Sequence, residues 1–133
     1  MKVLFVCTGN TCRSPMAMAI LKKLRPDILV DSAGISAFYE PVSDNAKTAI
    51  EEIGSSLAGY ISKPVSQELL DEADIVIAMS GTHAAALRGM GYKGEIIVLD
   101  CPDPYGGDIE LYRRTRDSIK QKLEQLIEEK KFD

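Results

Sequence analysis

Histidine occurs once in this chain of 133 residues, cysteine three times, and lysine and arginine never gather into a block. Each shortage excludes something. One histidine and scattered cysteines form no ligand cluster, so neither a metal nor any other cofactor is expected. Sixteen basic against twenty acidic residues leave a net charge of −4, without the positive footprint that nucleic acid requires. An anionic substrate must therefore be drawn by a local field. No apolar run approaches the ~20 residues of a membrane span, and the N-terminal run is too short for a signal-peptide core. No membrane association is expected, and nothing is expected to be cleaved. Few cysteines, one of them placed to react, suit a reducing compartment, and the cytoplasm is the expected location. No internal repeat, low-complexity segment or boundary appears, so residues 1–133 read as one domain, expected as a monomer.

What is there begins at the N-terminus. The apolar run Val3-Leu4-Phe5-Val6 leads into Cys7-Thr8-Gly9-Asn10-Thr11-Cys12-Arg13-Ser14-Pro15, and a segment of helical spacing follows. A loop from strand end to helix start presents successive backbone N–H groups backed by the positive end of the helix dipole, which makes an anion cradle. Ser14 is expected to cap the helix, with Pro15 at its first position, where a missing N–H costs nothing. Among so many donors Cys7 is expected to be held as thiolate, below the free value of ~8.5. Arg13 can curl back and grip two phosphoryl oxygens with its planar fork. Thr8, Gly9, Asn10, Thr11, Cys12 and Ser14 complete the phosphate-binding loop. Asn10 suits a left-handed kink, and the Ser14 hydroxyl can also donate to the Cys7 sulfur. Cys12 reads two ways, as inert filling or as a resolving partner that forms a reversible disulfide with Cys7 on oxidation.

Along the rest of the chain, strands are expected at Lys2–Val6, Ile28–Ser32, Ile75–Met79 and Glu95–Leu99. The helix after the loop carries Ala17, Ile20, Leu21 and Leu24 on one stripe and ends before Pro26. Ser43 or Asp44 caps a helix to about Ile53, and residues 35–43 form either a mere connection or a wall of the substrate cleft. Ser55–Pro64 resembles a linker. Ser66 caps a short helix, Ala84 to about Arg88 forms another, and Asp108 caps a long final helix with Tyr112, Ile119, Leu123, Leu126 and Ile127 inward. Alternating short strands and helices imply an α/β layer fold with a parallel sheet and right-handed crossovers. Ligands bind beyond the carboxyl ends of such strands, where both the Cys7 loop and the loop of Asp103 emerge.

Thiolate attack on phosphorus requires a group that protonates the leaving atom and later deprotonates water, and one carboxyl group can do both. Asp103, in Asp103-Pro104-Tyr105-Gly106-Gly107, is the candidate, with Asp100 as local competitor. An aspartate before proline is also an ordinary turn former.

Cys-x5-Arg-Ser at the N-terminus resembles the low-molecular-weight phosphatase family. Val-Cys-Thr-Gly-Asn-Thr-Cys-Arg-Ser-Pro-Met-Ala is similar to that family's protein arginine phosphatase branch almost letter for letter. The resemblance runs nearly end to end. It implies a three-layer α/β/α fold with a four-stranded parallel sheet in the order 2-1-3-4. It also implies a metal-free phosphatase acting on phosphorylated proteins through a phosphocysteine intermediate. Cys7, Arg13 and Asp103 would be catalytic, because the family carries its general acid in a C-terminal Asp-Pro-aromatic motif. Tyr105 would be a pocket wall. Thr11 would favour phosphoarginine, since tyrosine-directed relatives carry a bulkier aliphatic residue there. One departure stands out: relatives often brace the loop asparagine with a histidine where this chain has Tyr60. Bracing is then expected from the Tyr60 hydroxyl, or from Ser32 and Ser36, while His83 is expected at the surface. The competing readings are a tyrosine phosphatase, a thiol-coupled arsenate reductase with Cys101 as the only distant thiol, and a non-catalytic phosphate-binding module.

Overall fold

A computed structural model describes residues 1–133. Nine elements follow one another along the chain: β1 (Lys2–Cys7), α1 (Arg13–Leu24), β2 (Leu29–Gly34), α2 (Asp44–Glu51), α3 (Gln67–Glu72), β3 (Ile75–Ala78), α4 (Gly81–Gly89), β4 (Ile96–Val98) and α5 (Ile109–Glu128). The four strands form one sheet in the order β2-β1-β3-β4, and every pairing is parallel. The expected order and layering are therefore met.

β1 sits inside the sheet, and its side chains alternate between two cores as strand geometry requires. Val3, Phe5 and Cys7 face the larger core, with Met16 and Ile20 from α1, Ile50 from α2, and Ile119 and Leu123 from α5. Leu4 and Val6 face the smaller one, with Leu70 from α3, Val76 from β3 and Leu87 from α4. Strand connections run one way from β1 to β2 and cross back to β3, so the chain reverses direction beside the carboxyl end of β1. Cys7 stands there. In register, Cys7 is opposite Gly34 and Phe5 opposite Ser32 on β2. No helix is long and apolar enough to cross a membrane.

Boundaries move where local chemistry competes with pattern. α4 begins at Gly81, three residues before the expected start, because Ser80 adopts the extended cap conformation. β2 runs on to Gly34, since it pairs with β1 along its full length. Ser43 is the cap of α2: its Oγ accepts from the Ala46 N–H at 3.3 Å. Ser66 and Asp108 cap α3 and α5 as the pattern predicts. The Ser55–Pro64 segment is not a linker. Leu57 and Ser62 are buried, and single bridges tie Ile61 to Pro41 and Pro64 to Gly34, so the segment lies against the strand ends beneath the Cys7 loop. Glu52, just past α2, holds Arg113 and Arg116 of α5 at 2.6 and 2.8 Å and fixes those two helices together.

Candidate active site

The loop between β1 and α1 is hung by its carbonyls. Those of Cys7, Thr8 and Thr11 accept from the N–H groups of Ile35 (2.9 Å), Ser36 (2.9 Å) and Ser43 (3.0 Å). With carbonyls turned outward, N–H groups are left to face the cleft, and those of Asn10 and Ser14 favour the charged form of the Cys7 sulfur. Asn10 has φ 56°, the left-handed kink expected of it. Gly34 is required by this close approach. A Cβ there would meet the Thr8 carbonyl oxygen at 2.6 Å and the Asn10 nitrogen at 3.0 Å.

Beneath the loop lies a buried polar brace. Asn10 Nδ2 donates to Ser14 Oγ (2.7 Å) and to Ser32 Oγ (3.0 Å), while its Oδ1 accepts from the Lys63 N–H (3.0 Å). Tyr60 donates to the Ser32 carbonyl at 2.9 Å, with its hydroxyl 2.6 Å from Ser32 Oγ and 3.4 Å from Asn10 Oδ1. Tyr60 and Ser32 therefore carry the bracing expected of them. Ser36 instead supplies a backbone N–H and a stretch of cleft wall.

Two expectations for this loop fail. Ser14 does not cap α1: the helix starts at Arg13, Cys12 is the residue before it, and no side chain caps the end. The Ser14 hydroxyl faces the Cys7 sulfur at 2.9 Å instead, and Pro15 is the third helical residue. A side chain that capped the helix would occupy the N–H groups the cradle needs. Nor does the donor ring alone set the thiol. Burial pushes the Cys7 thiol above its usual value and outweighs the Ser14 hydroxyl, the Ser14 and Asn10 N–H groups and Arg13, which pull it down in that order.

Arg13 is almost wholly buried. Its Nη1 donates to the Cys101 carbonyl just past β4 (3.1 Å), and its Nη2 lies 3.5 Å from both Thr8 Oγ1 and Asp103 Oδ2. Asp103 thus joins the loop residues from the far end of the chain. It is a turn former too, since its Oδ1 accepts from the Tyr105 N–H at 3.0 Å. Its competitor Asp100 is absent from the cleft lining.

The cleft holds about 300 Å³ and is lined by Cys7, Thr11, Arg13 and Asp103 among others, with Ser36, Phe38 and Glu40 on one side and Tyr105 on another. Residues 35–43 are a wall and not a mere connection. Cys12 lies under the loop, its sulfur 3.2 Å from the Tyr112 hydroxyl and 3.6 Å from Ser43 Oγ. Burial, with Cys12 alongside, pushes that hydroxyl up to about 12.

His83 is not at the surface. It is 4% exposed, with Nε2 2.8 Å from Thr8 Oγ1 and Nδ1 2.9 Å from Ser80 Oγ. The available signal was topological: β3 neighbours β1, so the turn after β3 must border the Cys7 loop. The Lys63 N–H and the Cys101 carbonyl were also missed, and being backbone groups they left no mark in the sequence.

Comparison with known proteins places this geometry. The protein-arginine-phosphatase of Bacillus subtilis (strain 168) is 34% identical, the match covering 100% of this chain and 99% of that protein. The low molecular weight protein-tyrosine-phosphatase YfkJ of the same organism is 33% identical, covering 98% of each. Among solved structures, a YwlE arginine phosphatase, the C7S mutant with phosphorylated active site serine, superimposes with a TM-score of 0.93 at 34% identity, covering 100% of this chain and 97% of that one. The family model for low molecular weight phosphotyrosine protein phosphatase matches residues 2–133, and with the Cys7 loop, Arg13 and the 2-1-3-4 sheet it makes this chain a member of that phosphatase family.

Proposed function

We propose that the chain is a protein arginine phosphatase that cleaves the P–N bond of phosphoarginine in proteins. Cys7 attacks phosphorus from the floor of the cleft, and the loop N–H groups with Arg13 hold the phosphoryl oxygens as charge moves onto them. Asp103 protonates the departing guanidino nitrogen, then takes a proton from the water that hydrolyses the phosphocysteine. The buried thiol must surrender its proton before attack, and the incoming phosphoryl dianion is the base that takes it. Ser14, at 2.9 Å, is placed to stabilise the sulfur anion. Nothing in these steps calls on a metal or cofactor. Free thiols at Cys7, Cys12 and Cys101 fit a reducing cytoplasm.

The observation that carries the choice of arginine is the company Thr11 keeps. It shares one cleft with two carboxylates, Asp103 and Glu40. A phosphoryl dianion gains nothing from either, whereas a planar cationic guanidinium attached to it can pair with Glu40 and leave Asp103 facing the nitrogen that departs. Thr11 leaves room beside that group, and its hydroxyl tolerates a polar neighbour that an aliphatic methyl would strand, at about 1–3 kcal/mol for an unpaired buried donor. The relatives named protein-arginine-phosphatase support the same reading.

Tyrosine phosphatase activity is the second reading. Phe38 and Tyr105, 74% and 76% exposed at the cleft mouth, could flank a phenyl ring. The two separate by kcat/KM on matched phosphoarginine and phosphotyrosine peptides. A preference for phosphoarginine is expected, and a preference for phosphotyrosine would replace the first reading by the second.

A further inference from the structure

We propose that His83 is a positioning residue that aims the Arg13 guanidinium at the phosphoryl group through the hydroxyl of Thr8. The contacts form one line: Arg13 Nη2 to Thr8 Oγ1 at 3.5 Å, Thr8 Oγ1 to His83 Nε2 at 2.8 Å, and His83 Nδ1 to Ser80 Oγ at 2.9 Å. Ser80 Oγ in turn lies 2.8 Å from Thr82 Oγ1.

Counting donors gives the line a direction. A guanidinium only donates, so Thr8 Oγ1 must offer Arg13 a lone pair. We assign the proton of that hydroxyl to His83 Nε2, its other side-chain partner, which goes with the neutral tautomer that carries its proton on Nδ1, donated to Ser80. Burial and the nearby Arg13 charge both hold His83 below the ordinary imidazole range, against the opposing pull of Asp103. The ring therefore arrives neutral, as an acceptor toward Thr8, and adds no second cation beside Arg13. Without it the Thr8 hydroxyl could rotate and turn its proton toward the guanidinium. Arg13 would keep its Cys101 carbonyl contact but lose a fixed partner on the cleft side. The loop amides would still bind the ground-state dianion, so the loss falls on the transition state.

The proposal uses the Cys7–Arg13 chemistry but not the arginine preference, so nitrophenyl phosphate is the substrate of choice. Turnover of that ester by wild type tests the chemistry, and the ratios among variants test His83. His83→Leu is expected to lower kcat about tenfold or more with KM within about threefold. His83→Gln, whose longer amide reaches Thr8, should recover to within about threefold of wild type, whereas His83→Asn, which reaches only Ser80, should not. Thr8→Val should match His83→Leu, and the double variant should be no slower than Thr8→Val alone. Should His83→Leu fail to fold, the Asn–Gln pair, with melting temperatures alongside, decides the question unaided. Multiplicative losses in the double variant, or equal losses in Asn and Gln, would overturn the proposal and leave His83 as core filling.

Discussion

At the floor of the cleft, Asn10, Ser14 and Ser32 are fully buried and every polar atom has a partner. At the rim, Phe38 and Tyr105 stand about three-quarters exposed, and the Asp103 side chain is 47% exposed with a single ion-pair contact at 3.5 Å. The same cleft is thus rigid where phosphorus sits and sparsely held where the rest of the substrate must enter. A buried, fully satisfied polar network has one arrangement and is costly to disturb. An exposed side chain can change without cost to the fold. The floor should govern whether any phosphoryl group is transferred, and the rim which substrate is chosen.

Substitutions can break or sharpen that division. The largest effect is expected at the floor. Cys7→Ser should lower turnover of every substrate by more than about four orders of magnitude, because an alcohol is a far poorer nucleophile here, while the cradle and Arg13 remain. Titration calorimetry with inorganic phosphate should find binding retained. Lost binding would mean the sulfur shapes the cradle as well as attacking. Asp103→Asn comes next and belongs to the rim by exposure but to the chemistry by role. A loss of about 10²–10⁴ is expected on phosphopeptides and a much smaller one on nitrophenyl phosphate, whose leaving group scarcely needs a proton. Equal losses on both would reduce Asp103 to its turn-forming role.

Gly34→Ala tests the floor without touching a reacting group. The added methyl meets the Thr8 carbonyl at 2.6 Å, and overpacking of this kind costs about 1–3 kcal/mol. All substrates should slow together, by about tenfold to a hundredfold in kcat/KM if that strain falls on the loop. A change in the phosphoarginine-to-phosphotyrosine ratio would show that floor and rim are not separate. Thr11→Ile is the converse: phosphoarginine kcat/KM should fall by about tenfold, or about 1.4 kcal/mol, while phosphotyrosine holds or rises. Equal losses on both would remove Thr11 from substrate choice.

The smallest effect is expected far from either region. Arg113 and Arg116 hold the Glu52 carboxyl down to about 2 from its ordinary 4.5. A carboxylate depressed on folding stabilises above its ordinary value, and that contribution fades as pH falls toward the folded value. Melting temperatures of wild type and Glu52→Gln should therefore differ at neutral pH and converge between about pH 4.5 and about pH 2. Nitrophenyl phosphate turnover at neutral pH should not change, which separates scaffold from floor.

The unequal legibility of the site in the sequence follows the same division between kinds of group. Cys7, Arg13 and the kink at Asn10 lie within seven residues of one another in the chain, where spacing alone constrains geometry. Side chains brought in from afar were readable only when topology or the family resemblance supplied the distance, as for Asp103 and Tyr60. His83 had the topological cue but no motif. The amide of Lys63 and the carbonyl of Cys101 carry no residue identity at all. The Ser14 cap went wrong for an instructive reason: the helix begins one residue earlier, at Arg13, which leaves the Ser14 hydroxyl inside the first turn and free to face the Cys7 sulfur. The Cys7 thiolate went wrong because burial depth, which the linear pattern does not report, opposes the donors that it does.

The Arg13 guanidinium reaches across 88 residues to the carbonyl of Cys101. During synthesis the Cys7 loop is made first, yet its clamp has no anchor until β3 and β4 have joined the sheet and the segment after β4 has turned back over the cleft. Long-range contacts of this kind close late, because loop entropy must be overcome before they are rewarded. A nascent chain released before Cys101 would hold the whole Cys-x5-Arg signature and no working site. In refolding, the return of turnover is accordingly a clock for the last strand and not for the first.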